Sequence, residues 1–492
     1  MTLIIDGHSF HYEMENLCRI FLPYEKIKVT TELCEDEFLA YTQVKEESNG
    51  WQFTARLQFA QERYAASQWI PIEKQPDETE IKRSLAVLLF QLLVKHCGFT
   101  PKWGVLIGVR PIKLLRGIIS TMGEEKGLDY FQSKLLVSPE KTELSYLTMR
   151  REEKILALSK PESFSLYISI PFCPTRCAYC SFVSSSVEKT VKLIPNYLHL
   201  LCREIEHTAK VAEELGLRLE SVYVGGGTPT TLTAKQLELL LDTVRRSFDL
   251  AICREFTVEA GRPDTIHPDK LQAMMSRSVT RISINPQTLN DEVLHNIGRH
   301  HTTEQTLSAF SMARDFGFGN INMDLIAGLP GDSVKSFQDT LDHVIRLSPE
   351  SITVHTLALK RSARIFQEGN AEHHDAKAAS EMLDYAGTEL LKNGYAPYYL
   401  YRQSRMVGNL ENTGWAKPGF ESLYNAFIMD ETHSVLACGA GATSIIRDPY
   451  SERLERIFNF KYPYEYISRF EEMIIRKDQV KDIYDKFRRI SE

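Results

Sequence analysis

The stretch Ser163-Phe-Ser-Leu-Tyr-Ile-Ser-Ile-Pro-Phe-Cys-Pro-Thr-Arg-Cys-Ala-Tyr-Cys180 runs from an apolar, β-rich segment straight into three cysteines spaced C-x3-C-x2-C. Residues 163–170 have the length and composition of a strand, and the cysteines fall on the loop that leaves it. Onward from there, strand-like and helix-like segments alternate, which is the sequence form of a parallel βα array. Five further strands are placed at 219–224, 255–259, 279–285, 321–327 and 351–357. Most end beside residues capable of chemistry. Strands of a parallel barrel share one face at their carboxyl ends, so the pattern predicts one composite site there.

Three thiolates on one short loop can converge on a metal centre. Structural zinc sites take four protein ligands, usually as two separated pairs, and iron–sulfur clusters commonly take four cysteines. Cys173, Cys177 and Cys180 leave one coordination position without a protein ligand, which a substrate or cofactor can fill. The alternative is a chance cluster of buried cysteines, against which stands the oxidation liability of unligated thiols packed so closely. The other six, Cys18, Cys34, Cys97, Cys202, Cys253 and Cys438, are isolated and read as small core residues.

The chain has 492 residues, several times the roughly 150 of one domain. Hydrophobic content of 43% and charged content of 25% are those of a globular protein and exclude a disordered or collagenous chain. A net charge of −7 gives no electrostatic reason to expect a nucleic-acid partner. Nine scattered cysteines do not form a secreted disulfide framework and point to a reducing, cytoplasmic compartment. Asp6 and His8 interrupt the apolar start at once, with no basic region typical of a signal peptide. No apolar run reaches the length of a membrane span; the nearest, 85–94, reads as part of a buried helix.

Residues 1–155 lack the cysteine cluster and read as an α+β domain of unassigned role. Two β-rich runs flank Asn49-Gly50, a hairpin signal, and apolar periodicity predicts a helix over 80–97 with Gly98 as its stop. The basic, glycine-punctuated segment 103–113 either contacts a phosphate or carboxylate or is a structural turn packed on the next domain. Residues 160–357 form the barrel core. A helical stretch over 371–393 opens a third, covering domain, 358–492.

The cysteine loop resembles that of radical S-adenosylmethionine enzymes, and its leading Tyr167-x-x-Ile-Pro-Phe172 resembles the oxygen-independent coproporphyrinogen III oxidase family. The N-terminal extension and Tyr401-Arg402-Gln403 look most like its HemZ-type branch. The resemblance implies an α/β fold: a partial (β/α)6 radical SAM barrel with an N-terminal α+β domain and a HemN-type covering domain, the last matched by Gly439-Ala-Gly-Ala-Thr-Ser444, Phe458-Asn-Phe460 and Tyr462 to Tyr466. It implies a [4Fe-4S] cluster on Cys173, Cys177 and Cys180 whose open iron binds S-adenosylmethionine. By the same resemblance Tyr167, Tyr179, Gly226, Gly227, Thr228, Glu259, Gln287, Arg299, Asp324, Ala358 and Ile445 contact the cofactor, with Tyr167, Glu259 and Asp324 at the chemistry. The glycines of Val224-Gly-Gly-Gly-Thr-Pro-Thr230 let backbone amides approach a ligand closely. Asp324, inside an apolar run, needs a defined partner if buried, with Arg281 and Arg299 as structural candidates.

The family reaction is oxidative decarboxylation of two propionates of coproporphyrinogen III to the vinyl groups of protoporphyrinogen IX. It requires an electron donor such as a flavodoxin or ferredoxin. A substrate with four carboxylates asks for cationic anchors, for which Arg262, Lys360, Arg361 and Arg402 are candidates. Two departures from the family pattern, Phe182 where well-known oxidases have a fourth cysteine and the Glu259-Ala-Gly-Arg-Pro263 segment, leave two alternatives. One is a haem-trafficking chaperone with an axial histidine among His300, His301, His355 and His433. The other is a radical enzyme acting on another tetrapyrrole.

Overall fold

Strand-forming runs and glycine-bounded helices assemble into two compact units in the computed structural model, which describes residues 1–180, 185–358, 363 and 375–491. The first unit is Met1–Met149 with Tyr401–Glu411, and the second is Arg150–Leu400 with Asn412–Glu492. No described helix is long and apolar enough to cross a membrane.

The first unit holds β1 (Thr2–Asp6), β2 (Lys28–Thr30), β3 (Phe38–Glu47), β4 (Gly50–Phe59) and β5 (Glu62–Pro71), in the order β2-β1-β3-β4-β5. β1 is parallel to β2 and β3, while β3, β4 and β5 form an antiparallel meander. The expected hairpin is present, but Glu47 pairs with Gly50, so Ser48 and Asn49 make the turn. Gly50 serves close packing instead: a Cβ there would lie 2.4 Å from the Ile70 carbonyl oxygen. The helix Glu78–Cys97 begins two residues earlier than its periodicity suggests, because Asp77 caps the amide of Glu80, and it ends at left-handed Gly98.

Segment 103–113 runs through a turn into the helix Pro111–Met122 and holds Tyr401–Glu411, which belongs to the same compact unit and not to a following domain. Trp103 Nε1 donates to Glu411 Oε2 at 2.7 Å and Lys141 Nζ donates to Glu411 Oε1 at 2.6 Å. Arg402, 3% exposed, donates to the carbonyls of Leu106 and Asn409 and lies over the Trp103 ring. Burial pulls its pKa down to about 10. Arg402 is therefore occupied inside the first unit and is not a substrate anchor.

In the second unit β6 (Ser163–Ile170) leads into the two-residue strands β7 (Phe172–Cys173) and β8 (Ser185–Ser186), which pair with each other. Then come β9 (Arg218–Gly226), β10 (Glu255–Glu259), β11 (Arg281–Ser283), β12 (Ile321–Ala327) and β13 (Ser351–Thr356). β6 and β9 to β13 run parallel in chain order, as the alternating pattern predicts. One edge carries β14 (Ala396–Tyr401) and β15 (Asn412–Ala416), and the other β16 (Ser434–Cys438), β17 (Thr443–Arg447) and β18 (Leu454–Phe458). The helix expected over 371–393 is Ala376–Lys392, with 371–374 outside the described residues.

Side chains alternate along each strand, and this sets the character of the barrel's two faces. Leu166, Ile168, Val222, Val224, Phe256, Val258, Met323 and Leu325 form the buried apolar face. The opposite face is polar: the register sets Tyr167 beside Tyr223, Thr257 beside Arg281, Glu259 beside Ser283, and Asp324 beside Thr353. Parallel barrels usually fill this layer with branched apolar residues. Here hydrogen bonds satisfy it, as when Asn322 Nδ2 donates to Ser283 Oγ at 2.8 Å and Arg281 reaches Ser351 Oγ at 2.8 Å.

Candidate functional site

β6 ends at Ile170, and the chain passes through Pro171 into the cysteine loop. Cys173, Cys177 and Cys180 are half-buried, and the Cys180 amide donates to the Cys177 carbonyl. The loop is held from two sides. Ala178 N donates to Ile297 O at 2.9 Å, and Thr175 Oγ1 donates to Gly298 O at 3.2 Å. Across from them Thr228 Oγ1 lies 3.6 Å from Cys173 Sγ. All nine cysteines carry thiols rather than disulfides; Cys18, Cys202 and Cys438 are buried as expected, Cys97 and Cys253 are half-buried, and Cys34 is exposed and not a core residue.

The end of the glycine run holds this loop through two of its amides. Gly227 N donates to Ile170 O at 2.8 Å and Thr228 N to Phe172 O at 2.7 Å, so both amides are already engaged. A Cβ on Gly227 would lie 2.6 Å from Phe172 O, and one on Gly226, at φ +103, would lie 2.9 Å from Ser169 Oγ. Gly225 clears space for Glu259, whose carboxylate would be 3.0 Å from a Cβ there.

Glu259 ends β10 and accepts a 2.5 Å hydrogen bond from Tyr223. Burial pushes its pKa up to about 7, against the Tyr223 hydrogen bond that lowers it, and the charge of Asp324 adds to the rise. Tyr223 stacks on Tyr424 at 4.4 Å between ring centroids, and Tyr424 stacks on Tyr167 at 6.1 Å. Asp324 shifts the other way. Burial alone would raise it, but hydrogen bonding and charge from His355, with further bonds from Asn322 and Thr353, hold it below the usual range. Its partners are thus Asn322 at 2.7 Å and His355 at 3.7 Å, not the arginines proposed from sequence. Arg281 is spent on Ser351, and Arg299 on the Asn285 carbonyl.

Gln287 is 5% exposed and sits in the left-handed region at φ 70, its amide and carbonyl bonded to Asp324 O and Ile326 N. A non-glycine residue held there is strained backbone fixed by its surroundings. Arg299 Nε lies 3.3 Å from Tyr179 Oη, which brings that pair to the cysteine loop. Ala358 follows β13 and is half-buried, and Ile445 is on β17, two strands beyond β6.

The remaining candidates separate clearly. Arg262 is 3% exposed and forked onto Asp264 with two 2.9 Å bonds, so it is not an open substrate anchor. Lys360, Arg361 and Phe182 lie outside the described residues. His433 is buried between Ser159 and Ser165, bonded through both ring nitrogens, and burial holds its pKa down at about 3. His301 is 2% exposed, His355 faces Asp324, and His300 is exposed. Sequence reading missed Tyr223, Tyr424 and Asn322; the period-two polar positions in each barrel strand were the signal that could have found the first and third.

The carboxyl-terminal motif closes against the end of β6. Ser169 Oγ donates to Ala440 O at 2.8 Å, Tyr197 Oη donates to Ser169 O at 2.8 Å, and Ala440 N donates back to that hydroxyl.

A family described as the Radical SAM superfamily matches residues 167–344. The chain is 40% identical over 411 residues to the "Oxygen-independent coproporphyrinogen-III oxidase-like protein HemZ" of Bacillus subtilis (strain 168), covering 80% of this chain and 81% of that protein. It belongs to the HemZ-like family of radical SAM proteins. The same comparison finds the "Heme chaperone HemW" of that organism at 29% identity, with 61% of this chain and 77% of the relative covered. Among solved structures, Escherichia coli coproporphyrinogen III oxidase (HemN), a radical SAM enzyme, matches with a TM-score of 0.52 and 26% identity, over 67% of this chain and 73% of that one.

Radical SAM proteins use a [4Fe-4S] cluster and S-adenosylmethionine. Among the described residues, no three His, Cys, Asp or Glu side chains stand close enough together to hold a single ion. A four-iron cube takes each thiolate at a separate corner, so it asks for wider spacing than one ion does. Three thiols on one pinned loop, with the buried Arg299 cation interacting with Cys177, fit a cluster of net negative charge.

Proposed function

We propose that this HemZ-like chain is a cytoplasmic enzyme that converts coproporphyrinogen III to protoporphyrinogen IX without oxygen. Cys173, Cys177 and Cys180 would hold the cluster. Tyr167, Tyr179, Gly226, Gly227, Thr228, Glu259, Gln287, Arg299, Asp324, Ala358 and Ile445 would line the cofactor's place, with a flavodoxin or ferredoxin as electron donor. When bound, cluster and cofactor would supply a 5′-deoxyadenosyl radical that removes one hydrogen atom from each propionate; loss of carbon dioxide then releases a second electron, which passes to a separate one-electron acceptor. The chain's own contribution is to position and to set charge. Asp324, held anionic by His355 and Asn322, would accept hydrogen bonds or face a cationic group, and Glu259, with its pKa raised to about 7, would hold or accept a proton at its carboxylate.

The observation that carries the enzyme reading over the chaperone reading is the fate of the histidines. His433 is bonded through both nitrogens, His301 is buried and His355 faces Asp324, so three of the four are already engaged or enclosed. The HemW relatives keep the chaperone as the second reading. Anaerobically reconstituted protein, given coproporphyrinogen III, S-adenosylmethionine and a reductant, is expected to release carbon dioxide and form the divinyl product. Stoichiometric haem binding with no vinyl product overturns the enzyme in favour of the chaperone. Conversion of a different tetrapyrrole, read by product mass, keeps the radical enzyme and changes its substrate.

A further inference from the structure

Arg262 stands in the segment that departs from the family pattern, and its environment gives it a task other than substrate binding. It follows Glu259 by three positions in the loop after β10, and it is 3% exposed. Nε and Nη2 each donate to Asp264 at 2.9 Å, so one edge of the guanidinium forks onto one carboxylate. The remaining nitrogen, Nη1, donates to Thr175 Oγ1 at 3.1 Å. Thr175 is the middle residue of the arc between Cys173 and Cys177, and its hydroxyl passes the connection on to Gly298 O at 3.2 Å. Thr265 locks the other end, its amide and hydroxyl both bonded to the Arg262 carbonyl at 2.9 and 2.8 Å. His301, 2% exposed, interacts electrostatically with both Arg262 and Asp264.

We infer that Arg262 is a positioning residue for the cysteine loop: forked onto Asp264, it fixes Thr175 and through it the arc that spaces Cys173 from Cys177. This rests on the assignment of those cysteines to the cluster. Groups that orient metal ligands from behind act on metal retention and electronic structure, commonly by 10- to 100-fold in affinity or activity. Asp264 already neutralises the Arg262 charge, so the effect runs through geometry rather than through net charge at the loop.

The test uses the full chain, reconstituted anaerobically, as wild type, Thr175→Val, Arg262→Lys and the double variant. Iron and sulfide content, the rate of iron loss to a ferrous chelator, and the electron paramagnetic resonance spectrum of the reduced protein are read for each, with melting of the iron-free forms as control. Thr175→Val removes only the hydroxyl and leaves the Arg262–Asp264 fork intact, so it decides the matter if Arg262→Lys folds poorly. Both single variants are expected to lose iron about tenfold faster and to change the spectrum. Melting of iron-free Thr175→Val should stay at the wild-type value. The double variant should lose iron no faster than the worse single, since both cut one connection. Wild type that holds four irons beside Thr175→Val and Arg262→Lys with unchanged loss rates and spectra overturns the positioning role alone. Wild type that holds no cluster overturns the cysteine assignment, and the positioning role with it.

Discussion

Lys477 and Glu204 offer the sharpest energetic test of how the carboxyl-terminal motif is held. Glu204, on the helix Ile194–Glu214, is 0% exposed, and Lys477, on the helix Phe470–Ser491, is 1% exposed. Their charges meet at 3.0 Å. Glu204 also accepts from Gly439 N at 2.8 Å, Asn459 Nδ2 at 2.8 Å and Tyr466 Oη at 2.6 Å, while Lys477 Nζ donates to Ala437 O and Asn459 Oδ1. Lys477→Met would leave a buried carboxylate facing only neutral donors, a loss of about 3–5 kcal/mol. Glu204→Gln removes the charge but leaves the ammonium buried and turns an amide toward donors, at a similar cost of about 3–5 kcal/mol. The double variant removes both charges together and should cost far less than the sum, giving a coupling on the order of 3 kcal/mol. Urea unfolding followed by far-ultraviolet circular dichroism and by fluorescence measures each corner of the cycle. A Lys477→Met loss below about 1 kcal/mol, or a double variant equal to the sum of the singles, would refute the reasoning.

Three other perturbations address the site itself. Cys177→Ser should abolish the visible absorption of the reconstituted cluster and S-adenosylmethionine cleavage together, and normal cleavage in that variant contradicts the ligand assignment. Gly227→Ala drives a Cβ to 2.6 Å from Phe172 O and 2.8 Å from Ile170 O, a clash of about 1–3 kcal/mol that the loop must absorb; reduced iron incorporation in a folded protein is expected, and full incorporation speaks against the packing argument. Glu259 has its pKa raised to about 7 by burial, so the folded chain binds its proton more tightly than the unfolded chain does. Without cofactors, the stability of wild type relative to Glu259→Gln should therefore fall as pH climbs from the ordinary carboxylate range to about 7, by at most about 1.4 kcal/mol per pH unit, and a pH-independent difference would disprove it.

The six parallel strands were legible because each is a short apolar, β-rich run followed by a helix-length segment, and such local signals survive without knowledge of partners. What each polar side chain meets was not local. Asp324 finds Asn322 two residues away but His355 only through the β12–β13 register, which a single sequence does not display. Arg262 and Arg402 read as candidate substrate anchors, because a forked buried guanidinium and an exposed one are written with the same letter. The glycine run signalled close approach correctly, yet the approaching group is the chain's own loop. Tyr401–Glu411 joins the first unit through Glu411, 308 positions from Trp103, and Arg402, 296 from Leu106, connections that composition does not mark.

The polar barrel face explains why the two carboxylates differ. The charge of Asp324 acts on Glu259, and burial by itself raises the pKa of both. Burial penalises ionisation at both, so the difference must come from their partners. Tyr223 gives Glu259 one short hydrogen bond in an otherwise desolvated place, which does not overcome the cost of charge. Asn322, Thr353 and His355 give Asp324 several, and they do overcome it. An anionic Asp324 then adds to the penalty on Glu259 and raises its pKa further. A barrel lined with valine and isoleucine could not make this division, since neither carboxylate would find a donor. Alternating Arg281-Ile-Ser283, Asn322-Met-Asp324 and Ser351-Ile-Thr353-Val-His355 thus does two things in one pattern: its apolar members build the core behind the strands, and its polar members contribute to opposite pKa shifts of two acids on the same face.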